Sequence, residues 1–249
     1  MQKKIVIVGA TSAIATHCAR IWATSGQSIS FTLLGRDIER LDRVATDLRA
    51  RGQHVTVSTQ TVEFVNPVVI QSVVDQIELN GHTDIVLIAH GSLGDQAKSQ
   101  SDLTFNASEL EINAISPVLY AEAFAQHMDK AGKGTIAVIG SVAGDRGRQS
   151  NYVYGAAKGL VTRYLQGLQH RFAGTAIKVV LIKPGPTDTP MTAHLKDQGV
   201  RMASVETVAQ GIVSAVEAGK TVAYVPGKWA LIMLIIQHLP NFVFNKLRI

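Results

Sequence analysis

The stretch Lys4-Ile5-Val6-Ile7-Val8-Gly9-Ala10-Thr11-Ser12-Ala13-Ile14-Ala15 decides the fold of this chain. It opens with a short apolar run, which is typical of a buried β-strand, and continues into a helical pattern that Gly26 ends. Gly9 allows a tight turn between them, and a helix N-terminus offers free N–H groups and a positive dipole end to a phosphate. Many strand–turn–helix units without a ligand have a similar composition, so the stretch alone leaves both interpretations open. In the functional interpretation, the residues that bind a dinucleotide here are Gly9, Thr11, Ser12, Ala13 and Ile14.

The same alternation of apolar runs and helical patterns continues outward along the chain. Strands that are apolar throughout and alternate with helices are typical of a parallel sheet covered on both faces. We therefore expect an α/β fold: a doubly wound (Rossmann) parallel sheet of seven strands with helices on both faces, forming one domain over residues 1–226. Ser108-Glu109-Leu110-Glu111 has the spacing of a capping box, which predicts that a long helix begins there. The expected strands are 4–8, 28–34, 54–61, 84–89, 135–140, 177–182 and 221–225, and the expected helices are 13–25, 38–51, one from Asn66-Pro67, 108–130, 151–172 and 205–218.

The composition restricts the class of protein. Of 249 residues, 46% are hydrophobic and 17% charged, which predicts a large buried core rather than disorder. The single cysteine, Cys18, excludes an internal disulfide and favours a reducing, cytoplasmic compartment. The formal net charge is +5, but the basic residues are scattered, so we expect a phosphate-rich cofactor rather than a nucleic acid as the partner. No His, Cys or Asp spacing indicates a metal site.

Residues 227–249 differ from the rest and are expected to form an apolar helical tail. The run from Trp229 to Ile236 is strongly apolar, and His238-Leu239-Pro240 and Phe244 follow it. The run is far shorter than the roughly 20 residues that span a bilayer. A core-covering helix, a subunit contact and a peripheral membrane contact through residues 229–244 all remain open.

Arg36 directly follows the second expected strand, where the adenosine ribose lies in dinucleotide folds. An acidic residue at this place would bind the 2′-hydroxyl of NAD, whereas an arginine favours the 2′-phosphate of NADP. The sequence therefore favours NADP(H) over NAD(H). The alternative is a solvated helix start with Asp37 as its N-cap.

Ser141, Tyr154 and Lys158 form the strongest candidate for a catalytic site. Tyr154 and Lys158 are four residues apart and therefore neighbours on one helical face. A free phenol has a pKa near 10, and we expect the lysine cation and an oxidised nicotinamide to lower it towards neutral pH. Ser141 follows a strand and its hydroxyl can hold a substrate carbonyl. A tyrosine and a lysine at this spacing are commonly a core aromatic beside a solvated lysine, but the combination with Ser141 favours the catalytic interpretation.

Five features follow one another in order: the Gly9 turn, Asn113 in Glu111-Ile112-Asn113-Ala114, Ser141, the pair Tyr154 and Lys158, and Pro184-Gly185-Pro186-Thr187-Asp188-Thr189. In this order and spacing the chain, at least to Val225, resembles the short-chain dehydrogenase/reductase family. The resemblance implies that Tyr154 is the acid/base and Ser141 orients the carbonyl. Lys158 would bind the nicotinamide ribose and lower the pKa of Tyr154, and Asn113 would support a water-linked proton relay. By the same resemblance, the nicotinamide amide would be held by Pro184, Gly185, Thr187 and Thr189, and helices 108–130 and 151–172 would build a homodimer or homotetramer.

The chain also departs from the family pattern. Ala13 and Ala15 stand where the family has glycines, Ala89-His90-Gly91 replaces the usual segment after the fourth strand, and Glu63 replaces the Asp that contacts adenine. These departures put the details of cofactor binding in doubt rather than the catalytic assignment. The first loop, the segment Ala89 to Gln96 and the tail are similar to those of decaprenylphosphoryl-2-keto-pentose reductases.

The resemblance implies an NADPH-dependent reductase that transfers hydride to a ketone, such as a keto-sugar on a lipid carrier, with tyrosine as the general acid. Two alternatives stay open: a dinucleotide-binding sensor or scaffold without turnover, and a general dehydrogenase of small carbonyls and alcohols. The segment Met191 to Ala203 is expected to form a short lid over the site.

Overall fold

Seven parallel strands form one sheet in a computed structural model that describes residues 2–193 and 199–247. Their bounds are β1 Lys3–Val8, β2 Ile29–Gly35, β3 Val55–Thr61, β4 Ile85–Ile88, β5 Lys133–Ile139, β6 Ala176–Pro184 and β7 Val222–Val225. The spatial order is β3-β2-β1-β4-β5-β6-β7, and every neighbouring pair is parallel. The expected doubly wound sheet is confirmed. The chain runs outward from β1 to β3 and then returns to β4 beside β1, so the direction of winding reverses between β1 and β4, where ligands bind in such folds.

Helices connect the strands and begin largely where local capping predicts. Asn66 accepts hydrogen bonds from the backbone N–H groups of Val68 and Val69, and Ser204 accepts one from Thr207 N. The helices are α1 Ala13–Ala23, α2 Ile38–Arg51, α3 Pro67–Leu79, α4 Gln96–Ser101, α5 Leu103–Leu110, α6 Ser116–Ala131, α7 Tyr152–Arg171, α8 Val205–Glu217, α9 Lys228–His238 and α10 Asn241–Phe244.

The two faces of the sheet bury different helices, because successive side chains of each strand point to opposite sides. Val6, Val86 and Val138 point to one face, where they pack with α3, α6 and α7. Ile7 and Leu87 point to the other face, where α1, α2 and α8 cover them. This double cover explains the continuous apolar runs in β1, β4 and β6, whereas the edge strand β3 alternates between half-buried and exposed residues along most of its length.

The prediction that a long helix begins at Ser108 is wrong. Helix α5 begins at Leu103, where the carboxylate of Asp102 accepts a hydrogen bond from Phe105 N, and Ser108 instead donates back to the carbonyl of Phe105. Helix α4 was also missed, although Asp95 caps it in the same way by accepting from Lys98 N. Two Asp caps seven residues apart were the available signal. A π-helical turn over Glu111–Ile115 joins α5 to α6.

The expected apolar tail is helical, as α9 and α10, and it packs on the core near the end of β5. Arg146 donates hydrogen bonds to the carbonyls of Ile236 and Leu239, at 2.6 Å each, and its guanidinium carbon lies 3.8 Å from the centre of the Phe244 ring. The indole of Trp229 lies against Gly185 and leaves no room there for a side chain. In the described part of the chain, no helix combines the length and the apolar character that a membrane crossing needs.

Candidate active site

A cleft opens at the carboxyl ends of β1, β4, β5 and β6, where the reversal of winding leaves room for a ligand. Its cavity volume is about 170 Å³. The cleft brings together most residues that sequence analysis singled out. Those that line it are Ser12, Ile14, Ala89, His90, Gly91, Asn113, Ser141, Tyr154, Lys158, Pro184, Gly185, Thr187 and Thr189.

Gly9 does not line the cleft but determines its shape. Its φ of +83° is in the left-handed region, which side chains disfavour. A Cβ atom on Gly9 would lie 2.6 Å from the backbone nitrogen of His90, so the turn after β1 touches the end of β4. Only glycine permits this close approach.

The first turn of α1 offers a place for a phosphate. Ser12 occupies the N-cap position with extended backbone, but its side chain makes no capping hydrogen bond. The N–H groups of the first turn therefore receive no capping acceptor from Ser12, and Ser12 and Ile14 of this turn line the cleft. Thr11 and Ala13 lie outside the cleft lining. Together with the glycine turn, these donors fit the pyrophosphate of a dinucleotide.

Arg36 and Glu63 lie away from the cleft, beyond the ends of β2 and β3. The side chain of Arg36 is exposed, and its guanidinium carbon is 6.0 Å from the centre of the Phe64 ring. Asp37 caps α2 by accepting from Arg40 N at 3.0 Å. The alternative prediction of a solvated helix start with Asp37 as N-cap is therefore confirmed, and the exposed side chains of Arg36 and Glu63 are accessible to a ligand at this edge.

Lys158 is buried inside the protein, with 3% of its surface exposed, and it lines the cleft. Its ammonium donates a hydrogen bond to the carbonyl of Ile139 at 3.1 Å and lies 5.7 Å from the centre of the Tyr154 ring. A Cβ on Gly91 would be 3.6 Å from the same nitrogen. Burial lowers the pKa of Lys158 from 10.5 to about 8. The alternative of a solvated lysine beside a core tyrosine is thus excluded.

The expected effect of Lys158 on Tyr154 is not found. Burial raises the pKa of Tyr154 above its ordinary value, and only the hydrogen bond with Ser141 lowers it in part. The desolvation of the phenolate is therefore the larger of the two effects on this pKa. Ser141 also accepts a hydrogen bond from Ala143 N at 3.1 Å, which orients its hydroxyl at the end of β5.

Asn113 lies in the π-helical turn and is completely buried. Such turns often occur at functional sites because they displace one side chain from the regular helical positions. Its amide nitrogen donates to Glu109 Oε2 and to Ser92 Oγ, both at 3.2 Å, and its oxygen accepts from Ser92 N at 3.0 Å. Ser92 Oγ in turn donates to the carboxylate of Glu109 at 2.9 Å. Sequence analysis missed the role of Glu109, which lies four residues before Asn113.

His90 belongs partly to the core. Its ring stacks on Phe64 with centres 4.5 Å apart, and its Nε2 lies 2.7 Å from Ser116 Oγ. Ser116 donates to the carbonyl of Phe64, so Nε2 of His90 carries the proton and the buried Nδ1 has no partner. Burial, together with the charges of Lys158 and Arg36, lowers the pKa of His90 to about 3, so the ring is neutral.

Arg148 and Asn151 also line the cleft, although sequence analysis did not single them out. Both follow Ser141 in the loop that leads to α7. The available signal was a charged run, Asp145-Arg146-Gly147-Arg148, directly after a predicted catalytic serine.

The expected lid, residues 191–203, is described only in part, because residues 194–198 lie outside the described residues. Thr187 pairs with Ala203, at the end of this segment, as an isolated parallel bridge.

Within residues 2–193 and 199–247, no group of three or more His, Cys, Asp or Glu side chains could hold a metal ion.

Comparisons with known proteins agree with this geometry. A family model described as short chain dehydrogenase matches residues 3–199. An uncharacterized oxidoreductase of Mycobacterium tuberculosis is 29% identical over 252 residues, covering 98% of this chain and 96% of the relative. Among solved structures, levodione reductase has a TM-score of 0.82 at 20% identity, covering 92% of this chain and 98% of that one. A short-chain dehydrogenase from Sphingobium yanoikuyae in complex with NADPH has a TM-score of 0.80 at 22% identity, with 99% and 96% covered.

Proposed function

We propose that this chain, which belongs to the short-chain dehydrogenase family and is an NAD(P)-dependent oxidoreductase, reduces a ketone with NADPH and uses Tyr154 as its general acid. One observation carries the proposal: Ser141, Tyr154 and the buried Lys158 share one cleft with the turn at the N-terminus of α1. A bound nicotinamide supplies the hydride. The chain's own residues must then orient the carbonyl and deliver a proton.

The state of Tyr154 suits reduction at neutral pH. Because burial raises the pKa of its phenol, the hydroxyl keeps its proton and can donate it to a carbonyl oxygen. Ser141, which is hydrogen-bonded to Tyr154, is placed to donate to the same oxygen. When Tyr154 gives up its proton, the hydrogen bond with Ser141, which partly offsets the rise in the pKa of the phenol, stabilises the phenolate that forms.

The proposed use of NADPH depends on Arg36. This residue follows β2, no acidic side chain ends that strand, and its guanidinium is exposed. An arginine here can form charge-assisted hydrogen bonds with a 2′-phosphate. The Sphingobium relative solved with NADPH has the same fold and supports this choice.

Replacement of Tyr154 by phenylalanine tests the proposed chemistry. We expect Tyr154→Phe to bind NADPH as the wild type does and to lose roughly two to four powers of ten in turnover of a ketone panel. Tyr152→Phe is the matched control, because that ring lies two residues earlier and is exposed. NADPH binding without oxidation by any ketone in the wild type would contradict the proposal and favour a sensor or scaffold.

We also propose, from the apolar tail, that the substrate is lipid-linked and that the protein lies in the cytoplasm at the membrane surface. Helices α9 and α10 expose large apolar side chains, including Leu231 at 64% and Phe242 at 71%, next to the cleft loop that Arg146 holds. Such residues can enter the interfacial region of a bilayer. Flotation with anionic liposomes should recover the wild type but not Leu231→Ser/Phe242→Ser. Equal recovery of both would contradict a membrane contact.

We also propose a homodimer or homotetramer. Leu160 and Tyr164 of α7 are exposed on the helix that the sequence analysis assigned to subunit contacts. Light scattering coupled to gel filtration should give a mass of two or four chains for the wild type and a lower mass for Leu160→Arg. A monomeric wild type would contradict this assembly.

A further inference from the structure

Arg148 is a cation in the cleft that the proposed reaction does not use. It lies between the 3-10 turn Val142–Asp145 and α7, and its side chain lines the cleft together with Ser141 and Tyr154. Arg148 is half-buried, and arginine is rarely withdrawn from water unless it is paired. Its presence here therefore calls for an explanation.

One nitrogen of the Arg148 guanidinium is unpaired. Its Nε is shielded from solvent and has no hydrogen-bond acceptor among residues 2–193 and 199–247. Burial alone lowers its pKa, with no carboxylate acting in the opposite direction. The neighbouring charges are already engaged: Asp145 binds Lys183 and accepts from the hydroxyl of Tyr224, and Arg146 binds the tail.

A second polar atom in the cleft also lacks a partner among the described residues. The side-chain oxygen of Asn151 is shielded from solvent and accepts no hydrogen bond there. Asn151 is the residue before α7, and it lines the cleft together with Tyr154. The cleft thus offers a donor at Arg148 and an acceptor at Asn151, both beside the proposed acid. Unsatisfied polar groups of this kind are uncommon in native proteins.

The charge of the cleft points to an anion. Among the described residues that line it are the cations Lys158 and Arg148, and no carboxylate. The phosphates of the cofactor are expected near α1 and Arg36, after β1 and β2. Arg148 follows β5, which β4 separates from β1, so it lies towards the other side of the cleft. An anion bound by Arg148 therefore belongs to the substrate.

We propose that Arg148 and Asn151 form a subsite for a substrate that carries an oxyanion, such as a phosphate ester, sulfonate or carboxylate, and a hydroxyl group. The planar guanidinium binds the oxyanion through two N–H groups, and the amide oxygen of Asn151 accepts from the hydroxyl. This inference rests on the proposed reductase function and adds the substrate class. It makes Arg148 a specificity-determining residue rather than part of the proton transfer.

The experiment compares a charged ketone with its neutral counterpart. NADPH oxidation is measured with dihydroxyacetone phosphate and with dihydroxyacetone for the wild type, Arg148→Gln and Arg148→Lys. We expect Arg148→Gln to lower kcat/KM for the phosphate roughly 10- to 150-fold, the range for hydrogen bonds to a charged group, and to lower kcat/KM for the neutral ketone far less. Arg148→Lys should restore part of the loss because it keeps the charge but not the paired donors. The matched control is Arg163→Gln, which removes the same charge from the exposed side of α7.

A binding measurement decides the inference even if neither ketone is a substrate. Calorimetry of the NADPH complex uses inorganic phosphate and farnesyl phosphate as probes. Both should bind the wild type and bind Arg148→Gln at least tenfold more weakly, and tighter binding of farnesyl phosphate would indicate a lipid-linked source of the anion. Equal affinity of wild type and Arg148→Gln for both probes, or an equal loss of kcat/KM for charged and neutral ketones, would overturn the subsite. Loss of turnover with intact, Arg148-dependent phosphate binding would instead count against the reductase function alone. If Arg148→Gln does not fold, Arg148→Lys serves in the same comparison.

Discussion

A glycine follows β1 for two reasons: the left-handed backbone at Gly9 and its close approach to His90. Replacement of Gly9 by alanine should separate their effects on stability. Gly9 has a φ of +83°, and an added Cβ would lie 2.6 Å from His90 N and 2.7 Å from His90 Cα. The left-handed backbone costs a side chain roughly 1–2 kcal/mol. Because the contact is with backbone that cannot easily move, overpacking adds roughly 1–3 kcal/mol. We expect Gly9→Ala to lower the free energy of unfolding by about 2–5 kcal/mol.

Gly26 provides the matched control for this prediction. Its φ is +77°, but no heavy atom lies within 4 Å of an added Cβ, so Gly26→Ala carries only the backbone cost. The effect of alanine on the unfolded chain is the same for both and cancels in the comparison. Denaturant unfolding should therefore show Gly9→Ala to be roughly 1–3 kcal/mol less stable than Gly26→Ala.

The two variants should also differ in cofactor binding. To relieve the contact, the turn must move away from β4 and shift the first turn of α1, including Ser12. Fluorescence titration should show weaker NADPH binding for Gly9→Ala and wild-type binding for Gly26→Ala. Equal stability and equal NADPH affinity of the two variants would refute the idea that the close approach to His90 shapes the site.

Three further predictions concern the charged side chains of Lys158, Glu109 and Arg36. Lys158→Met should abolish turnover yet raise the free energy of unfolding near pH 7. Burial lowers the pKa of Lys158 from 10.5 to about 8, so the unfolded chain binds that proton more tightly than the folded chain does. The increase in the free energy of unfolding over the wild type should hold below pH 8 and shrink as the pH rises from about 8 to 10.5; denaturant unfolding across this range measures it, and an increase that grows with pH would contradict the prediction. Glu109→Ala removes an acceptor of Asn113 and should lower kcat roughly 10- to 100-fold without changing the KM for NADPH, whereas Glu109→Gln, which keeps an oxygen acceptor, should lose less. Arg36→Gln should raise the KM for NADPH by roughly 10- to 100-fold and leave NADH kinetics unchanged; an equal effect on both cofactors would remove Arg36 from the 2′-phosphate site.

The order of the elements along the chain could be predicted because it depends on local pattern. Strands buried on both faces must be apolar at every position, so the runs at β1, β4 and β6 were evident in the sequence. The helix before Asn113 was placed wrongly because several polar residues can cap a helix, and local sequence does not decide between Asp102 and Ser108. That choice depends on which carboxylate or hydroxyl meets the free N–H groups after folding.

The candidate site could be predicted as a set of residues but not as an electrostatic environment. Sequence spacing puts Tyr154 and Lys158 on one helical face and indicates a phosphate-binding turn at Gly9. Only the tertiary structure decides that the cleft buries Lys158 and withdraws Tyr154 in part from solvent, so that the pKa of Tyr154 rises and that of Lys158 falls. It also decides that, in the described part of the chain, Nε of Arg148 has no acceptor while Arg146, two residues earlier, is bound to the tail. The physical reason for this difference is that hydrophobic periodicity depends only on residues close together in the sequence. Desolvation and charge pairing depend instead on groups that come together from distant parts of the chain.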